Sequence, residues 1–170
     1  MARILSVDIF MVDLPPMVRR TDAIQSFDSQ QTPFVQITDS DGVTGLGYSY
    51  TIGQGGSAVM ALLRDDLIDQ LIGQDAEEIG RIWRDLLFSV HATAVGAISS
   101  LALAAIDIAL WDLRCKRANL PLYKMLGGAK NSVAMYTTEG GWLHIDTADL
   151  VADALAAQAK GFSGSKVKIG

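Results

Sequence analysis

An α+β fold is predicted for this 170-residue chain: a three-stranded antiparallel meander, a set of helices, and then one β-α-β unit. Three observations predict it. An Asp-Gly turn separates two apolar runs near residue 40, apolar residues recur at helical spacing from Val59 onward, and past Gly128 the pattern becomes strand, amphipathic helix, strand. Hydrophobic residues make up 49% of the chain and charged residues 19%, which is enough apolar material for a packed core and too much for intrinsic disorder.

Taken in order, Arg3 to Leu14 alternates Ile4, Val7, Ile9 and Met11 with polar neighbours, imperfectly, as a strand with one buried face would; Pro15-Pro16 stops it. Met17 to Thr32 is polar, carries Arg19, Arg20, Gln25, Gln30 and Gln31, and reads as a connection without secondary structure, which at this length is usually functional or mobile. Phe34 to Thr38 and Val43 to Tyr50 are the next strands, joined by Asp39-Ser40-Asp41-Gly42, where Asp-Gly supplies the positive φ of a tight turn. After Gly53-Gln54-Gly55-Gly56, the spacing of Val59, Leu62, Leu63, Leu67 and Leu71 predicts one helix, and that of Ile79, Ile82, Trp83, Leu86 and Leu87 a second. A third, about Val95 to Arg117, is apolar on most faces and should be surrounded by other elements. Leu120-Pro121-Leu122 breaks it. Ser132 to Thr137 and Ser165 to Ile169 read as parallel strands flanking a helix, Thr147 to Lys160, with Leu150, Val151, Ala154 and Leu155 inward. Parallel pairing requires both faces to be covered. If the chain ends at Gly170, its open strand edge and apolar face should make it associate rather than stay a monomer.

Composition and motifs exclude several functions. With 14 Lys and Arg against 19 Asp and Glu the net charge is −5, so there is no basic footprint for nucleic acid or an anionic membrane. The single cysteine, Cys115, cannot form an intramolecular disulfide, which fits a reducing, cytoplasmic compartment. Residues 1–13 carry Arg3, Asp8 and Asp13 and lack the apolar core of a signal peptide. The most lipid-like window, Ala94 to Leu113, contains Asp107 and Asp112, each costing about 2.5 to 3.5 kcal/mol at a membrane helix centre, so it reads as a buried helix. Gly45-Leu46-Gly47-Tyr48-Ser49-Tyr50 has Tyr where a dinucleotide fingerprint needs its last Gly. Gly161-Phe162-Ser163-Gly164-Ser165 lacks the final Gly of a nucleophile elbow, and no phosphate loop occurs. His91 and His144 have no neighbours at metal-ligand spacing.

Lys166-Val167-Lys168 is the informative pair. Side chains two apart on a strand share a face and stand about 6.5 to 7 Å apart. Taken alone, such a pair is ordinarily two solvated lysines on an edge strand. In a buried setting, desolvation and mutual repulsion would both favour a neutral amine able to take a proton from carbon.

The run Ala102-Leu103-Ala104-Ala105-Ile106-Asp107-Ile108-Ala109-Leu110-Trp111-Asp112-Leu113-Arg114-Cys115-Lys116, followed by Pro121-Leu122-Tyr123-Lys124-Met125-Leu126-Gly127-Gly128, resembles the signature segment of the mandelate racemase/muconate lactonizing enzyme family of the enolase superfamily. Cys115 replaces a small Gly or Ala and Met125 a Leu, as packing variants. The meander, the helical region and Lys166-Val167-Lys168-Ile169-Gly170 follow in the order of the family's N-terminal part. The resemblance implies an N-terminal α+β capping domain over residues 1–125, followed over 126–170 by the first strands and helix of a (β/α) TIM-type barrel. That barrel is incomplete in this chain, because a full one takes about 250 residues.

It also implies chemistry: a Lys or His base removes a proton beside a carboxylate, with Mg²⁺ stabilising the ene-diolate. By resemblance Lys168 is the base, with Lys166 beside it holding the substrate carboxylate; Tyr136 and Thr138 point into the site, and Thr138 offers a hydroxyl. The Met17 to Thr32 and Tyr50 to Gly56 loops correspond to the two capping loops that select substrate, where Arg19, Arg20 and Gln54 would contact a polyol or a distal carboxylate. Solvated loop charges are an equally good reading of these three. Asp107 and Asp112 read as structural, Asp112 pairing with Lys116 one turn on. The Mg²⁺ ligands are expected outside this segment. The implied protein is an acid-sugar dehydratase or a 2-hydroxyacid racemase acting on a small-molecule carboxylate, and a homo-oligomer. The alternatives are a cycloisomerase or amino-acid epimerase of the lactonizing group, or a non-catalytic remnant that docks to a partner.

Overall fold

A computed structural model describes residues 2–169; Met1 and Gly170, the last residue of the lysine motif, lie outside the described residues. The chain divides into two compact units, Met1–Pro15 with Ser29–Gly128, and Pro16–Asp28 with Ala129–Gly170.

The first unit is the predicted meander with its helices. Strands β1 (Ile4–Asp13), β2 (Gln31–Asp39) and β3 (Thr44–Tyr48) pair antiparallel in the order β1-β2-β3. Their register sets Phe10 opposite Phe34 and Phe34 opposite Tyr48, with a bulge between Ile4 and Ser6. β2 begins three residues before its expected start because the Gln31 to Pro33 segment pairs with the end of β1. The β2–β3 turn is built on Asp39, which is fully buried and accepts hydrogen bonds at Oδ1 from the N–H groups of Asp41 and Val43, each at 2.9 Å. Gly42 has φ +80°, the conformation anticipated from Asp-Gly. Arg117 donates to Asp39 Oδ2 and, at 2.8 Å, to Asp41. Burial works to raise the Asp39 carboxyl, but the hydrogen bonds from Arg117, Val43 and Asp41 outweigh it and hold the group below its ordinary value.

Helix α1 (Gly56–Leu62) runs on through a wide π turn at Leu63–Leu67 and a 3₁₀ turn at Ile68–Gln70, so the first expected helix is realised in three geometries. Then come α2 (Ile79–Ser89), α3 (Ala97–Ala118) and the short α4 (Leu122–Met125). Asn119 ends α3 in the left-handed conformation, with φ 51°. One sheet face meets α3 at very short range: a Cβ on Gly45 would lie 2.1 Å from the Ala109 carbonyl, and one on Gly47 2.0 Å from that of Ala105. Val35, Ile37, Val59, Leu63, Ile106, Leu110 and Leu113 pack between the layers, so α3 is central, as its apolar circumference predicts. Phe10, Phe34 and Tyr48 form a row on the opposite sheet face, with centroids 5.0 and 5.7 Å apart. At the free edge of β3, the Leu46 N–H donates to Asp112 (2.8 Å) and Lys116 donates to the Thr44 carbonyl (3.0 Å) while pairing with Asp112 (2.7 Å).

In the second unit the two expected strands are not formed as strands. Residues 132–137 and 165–169 meet in a single parallel bridge, Thr137 with Ser165, flanked by hydrogen bonds from Ser163 to Met135, Thr137 to Gly164 and Lys166 to Thr137. A two-membered parallel pair backed by one helix lacks the cover on both faces that such pairing requires. Helix α5 (Thr147–Ala159) is N-capped by Asp146, whose carboxylate accepts the Asp149 N–H at 2.9 Å. Its expected inward residues are only partly covered. Val151 and Leu155 are 50% and 60% exposed along a groove shared with Phe162 and Val167, and the buried side chain is Ala157. The stretch 17–32, expected to be structureless, instead contains a small hairpin: Phe27 N–H donates to Arg20 O (2.9 Å), Asp22 N–H to Gln25 O (3.1 Å), and Thr21 bridges Ser26. Asp22 closes it by accepting the Ile24 and Gln25 N–H groups. Among the described residues no helix is long and apolar enough to cross a membrane.

Candidate active site

The lysine segment is fixed by its backbone. Lys166 N–H donates to Thr137 O at 2.8 Å and Lys168 N–H to Gly141 O at 2.7 Å, so both lysines belong to the short parallel contact. Gly141 makes this possible, because a Cβ there would stand 2.1 Å from the Lys166 carbonyl. Lys166 is exposed and Lys168 half-buried, its Nζ lying 5.7 Å from the centroid of the Trp142 ring. Tyr136 and Thr138, on the other partner of the bridge, are exposed.

Of the loop residues, Arg19 is exposed, while Arg20 is half-buried and paired with Glu139 at 2.8 Å. Gln54 is exposed and belongs to the first unit, whereas the other six expected site residues share the second. In the first unit Gln31 braces the Tyr50 to Gly56 loop, its Oε1 accepting from the Thr51 hydroxyl (3.1 Å) and the Gly56 N–H (2.9 Å).

Glu139, Trp142, Phe27 and Asp22, none of which the sequence pattern singles out, and His144, which it singles out only to exclude metal-ligand spacing, complete the second unit's cluster. Glu139 accepts from Arg20 at Oε1 and from the Trp142 indole N–H at Oε2 (3.2 Å). The Phe27 and Trp142 rings lie 5.6 Å apart, tilted by 56°. His144 Nδ1 is 2.7 Å from the Thr21 hydroxyl. Backbone N–H groups of Ile24 and Gln25 hold the Asp22 carboxyl below its usual value, and the charge of Lys168 adds to this. One signal was present in the sequence: Gly140-Gly141 directly before Trp142 marks a place where another backbone comes close.

A metal requires more than these residues offer. Among the described residues no three His, Cys, Asp or Glu side chains cluster as a metal site. A cleft of about 700 Å³ in the first unit is lined by Leu46, α3 and the 119–126 segment, with neither Lys166 nor Lys168 in it. It holds two half-buried carboxyls: Asp112, paired with Lys116, and Asp107, which burial pushes above its ordinary value.

Comparison with known proteins agrees with this architecture. The chain is 40% identical over 165 residues to a 3,6-anhydro-alpha-L-galactonate cycloisomerase of Streptomyces coelicolor, an alignment covering 96% of this chain and 45% of that protein. It is 36% identical over 135 residues to an L-talarate/galactarate dehydratase of Salmonella typhimurium, covering 79% of this chain and 34% of the relative. The crystal structure of an L-talarate dehydratase from Polaromonas sp. JS666, complexed with Mg and L-glucarate, superposes with a TM-score of 0.93 at 34% identity, covering all of this chain and 47% of that one. The chain thus spans less than half the length of these relatives. Residues 6–127 match the N-terminal domain of the mandelate racemase / muconate lactonizing enzyme family, and the chain belongs to that family.

Proposed function

We propose that this chain is the N-terminal segment of a Mg²⁺-dependent mandelate racemase-like enzyme that removes the α-proton of a hydroxy-carboxylate, as an acid-sugar dehydratase or a 2-hydroxyacid racemase. The observation that carries the reading is the lysine pair in parallel contact with the Thr137 segment, Lys168 being half-buried against Trp142. Lys168 Nζ takes the α-proton, and the electron pair left on carbon delocalises into the carboxylate, beside which the Lys166 ammonium stands. Tyr136 and Thr138 contact the substrate from the neighbouring segment. Arg19 contacts its far end, and Arg20, already tied to Glu139, shapes the loop. Mg²⁺ is the proposed cofactor; the described residues supply no donor set for it, and none of these steps runs through it. A homo-oligomer in the cytoplasm is the proposed setting.

The Streptomyces relative, matched over 96% of this chain, favours a second reading, cycloisomerisation of a sugar acid, which begins with the same base. Deuterium incorporation at the α-carbon of galactarate and of 3,6-anhydrogalactonate from D₂O tests both, using the protein expressed from its full reading frame. Lys168→Ala should abolish exchange on one substrate face, and Lys166→Met should mainly raise KM. Undiminished exchange in Lys168→Ala would remove the base assignment.

A further inference from the structure

We propose that Trp142 is a positioning residue for Lys168, and that the 20–27 hairpin holds Trp142 in place through Glu139 and Phe27. A lysine carries four flexible methylenes, so its ammonium has no fixed place unless something beyond its own backbone restrains it. Lys168 is pinned at both ends of that stem: its N–H bonds to Gly141 O, and its Nζ lies 5.7 Å from the ring of the next residue, Trp142. That distance is within the reach of a cation–π contact.

The indole is fixed in turn by two contacts of different kind. Its N–H donates in the ring plane to Glu139 Oε2, and the Phe27 ring packs against it at 5.6 Å. Glu139 lies on the same short segment as Trp142, so that hydrogen bond alone would leave the pair free of the hairpin. The other carboxylate oxygen bonds Arg20, and Phe27 closes the hairpin onto the Arg20 carbonyl. One carboxylate therefore joins the hairpin to the indole. Thr21, through its hydroxyl to His144 and its carbonyl to Leu143 N–H, anchors the hairpin two residues further along the same segment. The charge of Lys168 also reaches Asp22 at the hairpin turn, where it adds to the backbone N–H groups that lower that carboxyl.

The catalytic meaning of this linkage rests on Lys168 being the base, but the linkage itself is measured without turnover. Trace acetylation with acetic anhydride, read by mass spectrometry as the ratio of Lys168 to Lys166 labelling, reports how firmly the Lys168 ammonium is held. Trp142→Leu should raise that ratio roughly two- to fivefold, the loss of one cation–π contact, while Trp142→Phe should restore most of it because the ring face is kept. Glu139→Gln should speed tryptic cleavage after Arg20 and raise the ratio in part; Phe27→Leu, which leaves the Trp142 ring itself intact, should do the same. An unchanged ratio in Trp142→Leu, or hairpin release in Glu139→Gln without any change in the ratio, overturns the proposal. If the labelling ratio moves as expected while Lys168→Ala retains full α-proton exchange, the positioning stands and the base assignment falls.

Discussion

In the unit formed by residues 1–15 and 29–128, the side chains that hold the layers together are apolar and fully buried, from Ile4 and Val35 through Leu63 to Leu113. In the unit formed by residues 16–28 and 129–169, Ala157 is the one buried apolar side chain, and the links are polar: Arg20 to Glu139, Thr21 to His144, Ser163 to Met135. Burial contributes about 25 cal/mol per Å² over a large contiguous area, whereas each polar link contributes about 0.5 to 1.5 kcal/mol net. The difference teaches where stability resides and where the proposed chemistry is placed. The first unit is the load of the fold, and the second carries the lysines on a segment fixed by a few directional contacts.

The sharpest way to break this contrast is to add the same methyl group to each unit. Gly47→Ala sets a carbon 2.0 Å from the Ala105 carbonyl and 2.4 Å from the Ala109 nitrogen, so α3 must leave the sheet. A loss of about 3 kcal/mol or more, at the top of the overpacking range, is expected in urea unfolding. A change below about 0.5 kcal/mol, the size of a neutral surface substitution, would mean that the helix is not seated as described.

Next in size is Arg117→Met, which leaves fully buried Asp39 without its cation. Breaking a buried pair costs about 3 to 5 kcal/mol, and the partial exposure of Arg117 reduces this to roughly 2 to 3. The pH dependence follows from the lowered Asp39 carboxyl. Its contribution is complete above the unfolded value of about 3.9 and is lost as pH falls through the lower folded value. Acid unfolding of Arg117→Met should therefore begin at higher pH than in the wild type, and coincident acid transitions would contradict the pairing.

The smallest expected effect on stability comes from Gly141→Ala, although the added carbon would stand 2.1 Å from the Lys166 carbonyl, nearly as close as in Gly47→Ala. The lysine segment has little packed against it and can move away, so unfolding should shift by less than about 1 kcal/mol. The Lys168 amide, now bonded to Gly141, should exchange with solvent several-fold faster. A stability loss equal to that of Gly47→Ala would erase the distinction between the two units.

The same contrast explains what could be read from the sequence. The meander, its Asp-Gly turn and the central helix were legible because local turn chemistry and burial point the same way: Asp39 turns the chain and is buried, and α3 is apolar where it meets both sheet and helices. The second unit was legible only as a pattern. Ser132 to Thr137 and Ser165 to Ile169 have strand composition, but strand formation depends on neighbours that composition cannot supply, and a single bridge is what two such segments form. The hairpin at 20–27 was missed because its closure depends on Asp22 accepting two backbone N–H groups within a polar stretch that has no periodicity. The contacts of Glu139, Trp142 and His144 were not legible because their partners are 119, 115 and 123 residues away in sequence, at Arg20, Phe27 and Thr21.

The pairing of Asp112 with Lys116 has a consequence beyond its small energy as a surface ion pair. Leu46 N–H and Thr44 C=O face away from β2, where a further strand would find its first donor and acceptor. With those two groups taken by side chains of α3, the sheet terminates chemically at β3 rather than merely running out of strands. A second molecule approaching that edge meets a carboxylate and an ammonium that already neutralise each other. Docking α3 thus completes the core and, in the same step, blunts one of the two edges on which two folding chains could join.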